Sequence, residues 1–201
     1  MQRVLFDTNI LMSRLLRDTM VHLSMCNAFQ PMWTEDIMAE LVYRLRRDHP
    51  DWNEQQIGGL RRKLIGAFGT AAITGYSIAG HAEIRDPNDA HLDAAAEHGE
   101  VDYLVSDDKR ALRPDPHRSC YELYSADDFL VLCDDSMPER VSKALLNNLG
   151  FHVKQAKETG KELPHFPERY EAAGAPKFAE RVRKHLQSFN MTEVWKNPPS
   201  I

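Results

Sequence analysis

The chain has 201 residues, 42% of them hydrophobic and 27% charged, with a formal net charge of -5. This composition suits a folded protein long enough to bury a core and argues against disorder. Residues 1–135 carry 14 basic and 23 acidic side chains, a net of -9, and residues 136–201 carry 11 basic and 7 acidic, a net of +4; that excludes a general nucleic-acid coat but leaves room for an acidic metal site beside basic arms.

Cys26, Cys120 and Cys133 are widely spaced and form no Cys-x-x-Cys pair. That argues against a disulfide scaffold or a cysteine zinc site and suits a reducing compartment. Only Val4-Leu5-Phe6 precede Asp7 as an apolar run, too little for a signal peptide. The longest stretch without Asp, Glu, Lys or Arg, Leu64 to Ala82, is interrupted by glycine, threonine, serine and histidine, so no membrane span is expected. A cytoplasmic location follows as the expectation.

Along the chain, Val4-Leu5-Phe6 reads as a short buried strand. Ile10-Leu11-Met12 with Leu15-Leu16 has helical spacing, and a second helical pattern runs from about Thr19 to Phe29. Pro31 breaks it, and Met32-Trp33-Thr34 reads as a second strand. Thr34 is placed to cap a helix with Ile37, Met38, Leu41, Val42 and Leu45 on one face. Asp51 and Glu54 have capping-box spacing for a further helix through Arg61, Arg62 and Lys63. Ala71 to Ile78 reads as a third strand. Asp86-Pro87-Asn88-Asp89 combines a cap, a proline at the first helical position and a first-turn acid, opening a helix that Gly99 ends. Val101–Val105 and Tyr121–Tyr124 read as fourth and fifth strands, and Ser125 as the cap of a short helix. Ser136-Met137-Pro138-Glu139 has capping-box spacing for a helix to Asn148, stopped by Gly150. A last helix runs from about Lys177 to Gln187, and Asn197-Pro198-Pro199-Ser200 reads as a frayed end.

Strands alternating with helices over residues 1–134 imply an α/β domain with a mainly parallel sheet. Residues 135–201 show no strand signal and read as a helical C-terminal extension packed on that domain.

In an open parallel sheet, ligands bind beyond the carboxyl ends of the strands. Asp7 and Asp107 or Asp108 directly follow strands. Glu40 and Asp89 sit in helices that follow strands. Gathered on one face, four carboxylates repel one another by about 1–4 kcal/mol per close pair. A hard dication with oxygen ligands, Mg²⁺ or Mn²⁺, relieves that repulsion and activates water against a phosphate ester.

Asp7-Thr8-Asn9 after the first strand, Glu40 on an early helix, Asp86-Pro87-Asn88-Asp89-Ala90 opening an alanine-rich helix, and Leu104-Val105-Ser106-Asp107-Asp108 after a later strand together resemble the PIN-domain ribonucleases. These include the VapC-like toxins of type II toxin–antitoxin pairs. The resemblance covers about residues 1–134. It implies a three-layer α/β/α sandwich around a parallel sheet, and a Mg²⁺- or Mn²⁺-dependent endoribonuclease with Asp7, Glu40, Asp89 and Asp108 as its acidic quartet. Asp107 stands as the neighbour that could replace or assist Asp108. Asp86 reads as a helix cap able to reach metal through water. Thr8, Asn9 and Ser106 would order the acids through hydrogen bonds.

Each residue also has a plainer reading. An Asp at a strand end is often only a turn residue or cap, and it is the joint pattern that favours a metal site. Arg44, Arg46, Arg47, Arg61, Arg62 and Lys63 fit two solvated helix faces as well as contacts to RNA phosphate or to an acidic partner segment. The resemblance implies an RNA substrate and a cognate antitoxin over the acidic cleft, and it is compatible with a homodimer. Two other classes compete: a non-catalytic RNA- or protein-binding module with the same fold, and a haloacid-dehalogenase-type phosphatase. The latter expects a second Asp two residues after the first, where this chain has Asn9.

Overall fold

The computed structural model describes residues 1–79, 89–108 and 119–199. Its sheet has four strands, β1 (Arg3–Phe6), β2 (Gln30–Met32), β3 (Tyr103–Val105) and β4 (Glu122–Tyr124), in the order β2-β1-β3-β4, and every pairing is parallel. The fold is mixed α/β with an all-parallel central sheet and a C-terminal helical part.

β1 is central, and Val4, Leu5 and Phe6 are all almost fully buried. A strand covered on both faces has no solvent side, so its apolar residues run consecutively instead of alternating. Leu5 pairs with Met32 on one side and Leu104 on the other. The Phe6 ring meets Phe29 edge-on at 5.6 Å and Phe68 at 6.2 Å.

The third expected strand, Ala71 to Ile78, is reduced to one bridge between Trp33 and Ala72, with Ile73 N–H donating to Trp33 O at 2.8 Å. Only Ile73 reaches the core, Ile78 is exposed, and Gly75 turns the backbone to φ 79°. An alternating pattern without a second buried position does not hold a strand.

Among the described residues, five helices lie between β1 and β3 in sequence: α1 (Thr8–Met12), α2 (Arg14–Met25), α3 (Glu35–Asp48), α4 (Glu54–Phe68) and α5 (Ala90–His98). Helical spacing through Leu16 is broken at Ser13, whose backbone is extended. α2 ends at Met25, earlier than Phe29, because Asn27 turns through positive φ. Thr34 caps α3 as its position suggests, accepting from Ile37 N–H at 3.1 Å. The capping box of α4 is Asn53 with Gln56, not Asp51 with Glu54; both of its hydrogen bonds are 2.9 Å. Trp52 stacks on His49 with ring centres 4.2 Å apart, and its N–H reaches His49 O, so a turn occupies residues 49–52 and postpones the helix. α5 ends at Gly99, where a Cβ would collide with Ile73.

After β4 come α6 (Ala126–Ser136), α7 (Pro138–Thr159), α8 (Phe166–Ala172), α9 (Pro176–Ser188) and α10 (Met191–Lys196). Ser136 ends α6 and does not cap α7. α7 runs through Gly150 to the left-handed Gly160 (φ 69°). Gly150 is there for packing: a Cβ would overlap the carbonyl and ring of Pro199. The tail at Pro199 is therefore seated on α7 instead of fraying. α8 and α10 carried no recognised sequence signal, being short and amphipathic for barely two turns. Among the described residues, no helix is long and apolar enough to cross a membrane.

The chain forms two compact units. One comprises Met1–Ser13 with Phe29–Ser125; the other comprises Arg14–Ala28 with Ala126–Ile201. These do not coincide with a cut at residue 134, because α2 groups with the C-terminal helices, packing on α7 and α8. In that helical unit the Tyr170 hydroxyl lies 2.6 Å from the Thr19 hydroxyl. The Tyr170 ring meets Phe178 edge-on at 5.2 Å.

The buried Asp127 carboxylate accepts from Phe178 N–H at 2.9 Å and Lys177 N–H at 3.2 Å. It caps the start of α9 from a neighbouring helix. Asp127→Ala is expected to cost about 1–2 kcal/mol, the upper range for a lost cap, measured as a lower denaturation midpoint at unchanged m-value.

Candidate functional site

Asp7 is the residue at which β1 ends. Its N–H continues the ladder to Val105 O at 3.0 Å, and its carboxylate caps α1 by accepting from Asn9 N–H at 3.4 Å. Ser106 occupies the equivalent place after β3. Because β1 and β3 are adjacent and parallel with Phe6 opposite Val105, both strands deliver their next side chains to the same edge.

There the Ser106 hydroxyl donates to Asp7 Oδ2 at 2.5 Å, and Asn9 Nδ2 donates to the same oxygen at 2.6 Å. Ser106 Oγ in turn accepts from Asn9 Nδ2 and from Asp108 N–H, both at 3.1 Å. Asp107 N–H points to Asn9 Oδ1 at 3.5 Å. Ser106 is thus the hub that ties the loop after β3 to the end of β1, and among the described residues Asp7 Oδ1 has only the long backbone contact.

The neighbouring helix brings in Glu40. Thr8 Oγ1 donates to Glu40 Oε2 at 2.8 Å, and Arg44 Nε stands 3.1 Å from Glu40 Oε1. Thr8 is fully buried, Asp7 nearly so, and Glu40 about one-third exposed. Burial pushes the Asp7 carboxyl up from its ordinary value. The Ser106 and Asn9 hydrogen bonds pull it back, nearby Glu40 pushes it up again, and Arg44 opposes that. A buried carboxylate facing a second carboxylate, with one arginine to offset the pair, is an oxygen donor set suited to a hard cation.

Asp89 is half-buried at the residue before α5, with helical backbone angles, and its side chain does not cap that helix. Asp107 and Asp108 are exposed at the loop after β3. Asp86 lies outside the described residues. Among the described residues, no group of three or more His, Cys, Asp or Glu stands close enough to hold a metal ion. Hydrogen bonds and electrostatics bring together Asp7, Thr8, Asn9, Glu40, Ser106 and the Asp108 backbone.

The basic cluster divides. Arg44 pairs with Glu40, Arg47 with Asp48 at 2.7 Å, and Arg61 with Glu35 at 2.5 Å. Arg46, Arg62 and Lys63 are exposed. The role of Arg44 beside Glu40 was missed when the cluster was read as a surface charge run. The signal was available, since residues four apart on a helix face each other.

A buried aspartate at the carboxyl edge of a central parallel strand, locked to the end of the adjoining strand, marks an α/β protein whose ligand site lies beyond the strand ends. The family model described as the PIN domain matches residues 3–110. The chain belongs to the PIN-domain family. PIN domains are in general nucleases that use divalent metal ions, and the matched segment spans every residue from Asp7 to Asp108 named above. No curated protein matches the chain. No solved structure matches it either.

Proposed function

We propose that this protein is a Mg²⁺- or Mn²⁺-dependent endoribonuclease, the toxin of a type II toxin–antitoxin pair. The observation that carries the reading is the Asp7–Ser106–Asn9 hub, which holds one oxygen of a buried carboxylate with two short hydrogen bonds and offers the other.

Asp7, Asp89 and Asp108 would hold the metal, with Asp107 as the alternative to Asp108, and Glu40 would bind it or orient water. When bound, such a dication supplies an acidified water and neutralises charge on the phosphate oxygens. The rest is done by the chain. Ser106 and Asn9 fix the orientation of Asp7. Thr8 and Arg44 hold opposite oxygens of Glu40. This fixes its plane, so that it can accept a proton from water without first reorganising. Cleavage would leave 5′-phosphate and 3′-hydroxyl ends, as the family resemblance implies. An antitoxin segment would cover the acidic face.

The test is incubation of structured RNA, and of DNA of the same sequence, with Mg²⁺, Mn²⁺ or chelator. Internal cleavage of RNA alone, dependent on the metal, is expected. Cleavage that persists in chelator, or of DNA only, overturns the reading. Calorimetry with Mn²⁺ separates it from a non-catalytic module, which would bind none.

A further inference from the structure

The helical unit holds a cavity of about 160 Å³ that the PIN-domain site does not use. Arg14 at the start of α2, His152 on α7, Lys161 just beyond α7 and Arg169 on α8 line it, with Glu162 as the one carboxylate among its described lining residues. Three helices and a connecting segment therefore aim three permanent cations and an imidazole at a space large enough for a small oxyanion and a few waters. We propose that this cavity is a binding site for a phosphoryl group.

The charges support it. Lys161 and Arg169 make no ion pair or side-chain hydrogen bond with any described residue. Arg14, exposed over most of its side chain, stands 3.6 Å from Asp18 one turn further along α2. Like charges kept close repel, and an oxyanion between them converts that repulsion into attraction. Two guanidiniums from different helices offer paired N–H donors, the arrangement that suits phosphate oxygens.

His152 provides an independent readout. Its ring packs edge-on against Phe166 at 5.2 Å. Burial, then Arg169 and Arg14, hold it below the ordinary histidine range; Asp18 acts the other way and His22 adds a small further push. Lys161 and Glu162 are the other charged groups lining the cavity. An anion in the cavity offsets the two arginines, so His152 takes up a proton when the site fills.

The test uses the full chain in chelator at low ionic strength, with inorganic phosphate as ligand and sulfate, whose charge does not change near neutral pH, for the proton-linked arm. Saturable binding is expected, with the His152 imidazole titrating at higher pH in saturating sulfate. Arg169→Ala and Lys161→Ala, both at exposed positions, should each weaken phosphate at least about tenfold without moving the melting temperature of the unliganded protein. RNA carrying a 5′-phosphate, compared with the same strand ending in hydroxyl, identifies the source. Tighter binding of the phosphorylated strand assigns the site to a terminal phosphate, and equal competition with inorganic phosphate by both strands assigns it to the internal backbone. An unshifted His152, affinity unchanged in both variants, or equal binding of acetate overturns the proposal.

Discussion

Replacing Asp7 with Asn is expected to lower RNA cleavage at least about 100-fold, since even the loss of a residue that merely supports a metal ligand costs 10–100-fold. The same change should make the metal-free protein more stable, by about 0.5–2 kcal/mol, or roughly 2–4 °C in melting temperature per kcal/mol for a chain of this size. The reason is the burial of an ionised carboxylate at the end of β1, next to Glu40. The folded state holds the Asp7 proton more tightly than the unfolded chain does. In the wild type, stability is therefore lost as pH rises from about 3.8, the ordinary Asp value, through the raised folded value. Asn has no proton to lose, and its amide oxygen can still accept from the Ser106 hydroxyl and Asn9 Nδ2. The advantage of the variant should be full at neutral pH and vanish as pH falls towards the ordinary Asp range. Adding Mn²⁺ should reverse the order, because metal stabilises only the form that binds it. Paired thermal melts with and without chelator read all of this. A variant that cleaves RNA as well as the wild type sinks the assignment of Asp7.

Tyr170→Ala is expected to have the largest effect on stability, about 3–5 kcal/mol, out of the 5–15 kcal/mol typical of a whole folded domain. Tyr170 is fully buried between Thr19 on α2 and Phe178 on α9, so its loss opens a cavity where three helices meet. Tyr170→Phe keeps the ring and removes only the hydroxyl contact. Thr19 retains its bond to Leu15 O at 2.8 Å, so no buried donor is stranded and the cost should be about 1 kcal/mol. Denaturant titration of both variants tests the argument, and equal losses would show that the hydroxyl, not the packing, is what matters there.

Where sequence and structure diverged, some causes were tertiary and others lay within a single turn of the chain. Ala71 to Ile78 has the composition of a strand, yet among the described residues it pairs only at Ala72, and Thr74, Ser77 and Ile78 are exposed. Gly150 looks like a helix stop but serves as a seat for Pro199. A glycine inside a helix costs about 1 kcal/mol in propensity, which packing readily outweighs. Asp51 and Asn53 are both good caps, and the choice fell to Asn53 because Trp52 stacks on His49. Local pattern identifies the candidates in such cases, and packing, near or distant in sequence, chooses among them.

The linear order of residues by itself pointed to a mainly parallel sheet and to Asp7 and Ser106 at the ends of two of its strands, because a run of buried apolar residues ending in a polar one is a local property. It also carried the PIN-domain motif set. Only the folded chain decided that Ser106 would be the hub joining Asp7, Asn9 and the Asp108 backbone, and that α2 would leave its neighbours in sequence to pack with α7 and α8. Those outcomes depend on hydrogen bonds and burial between residues up to about a hundred and fifty positions apart, and side-chain spacing along a strand or helix contains no information at that range.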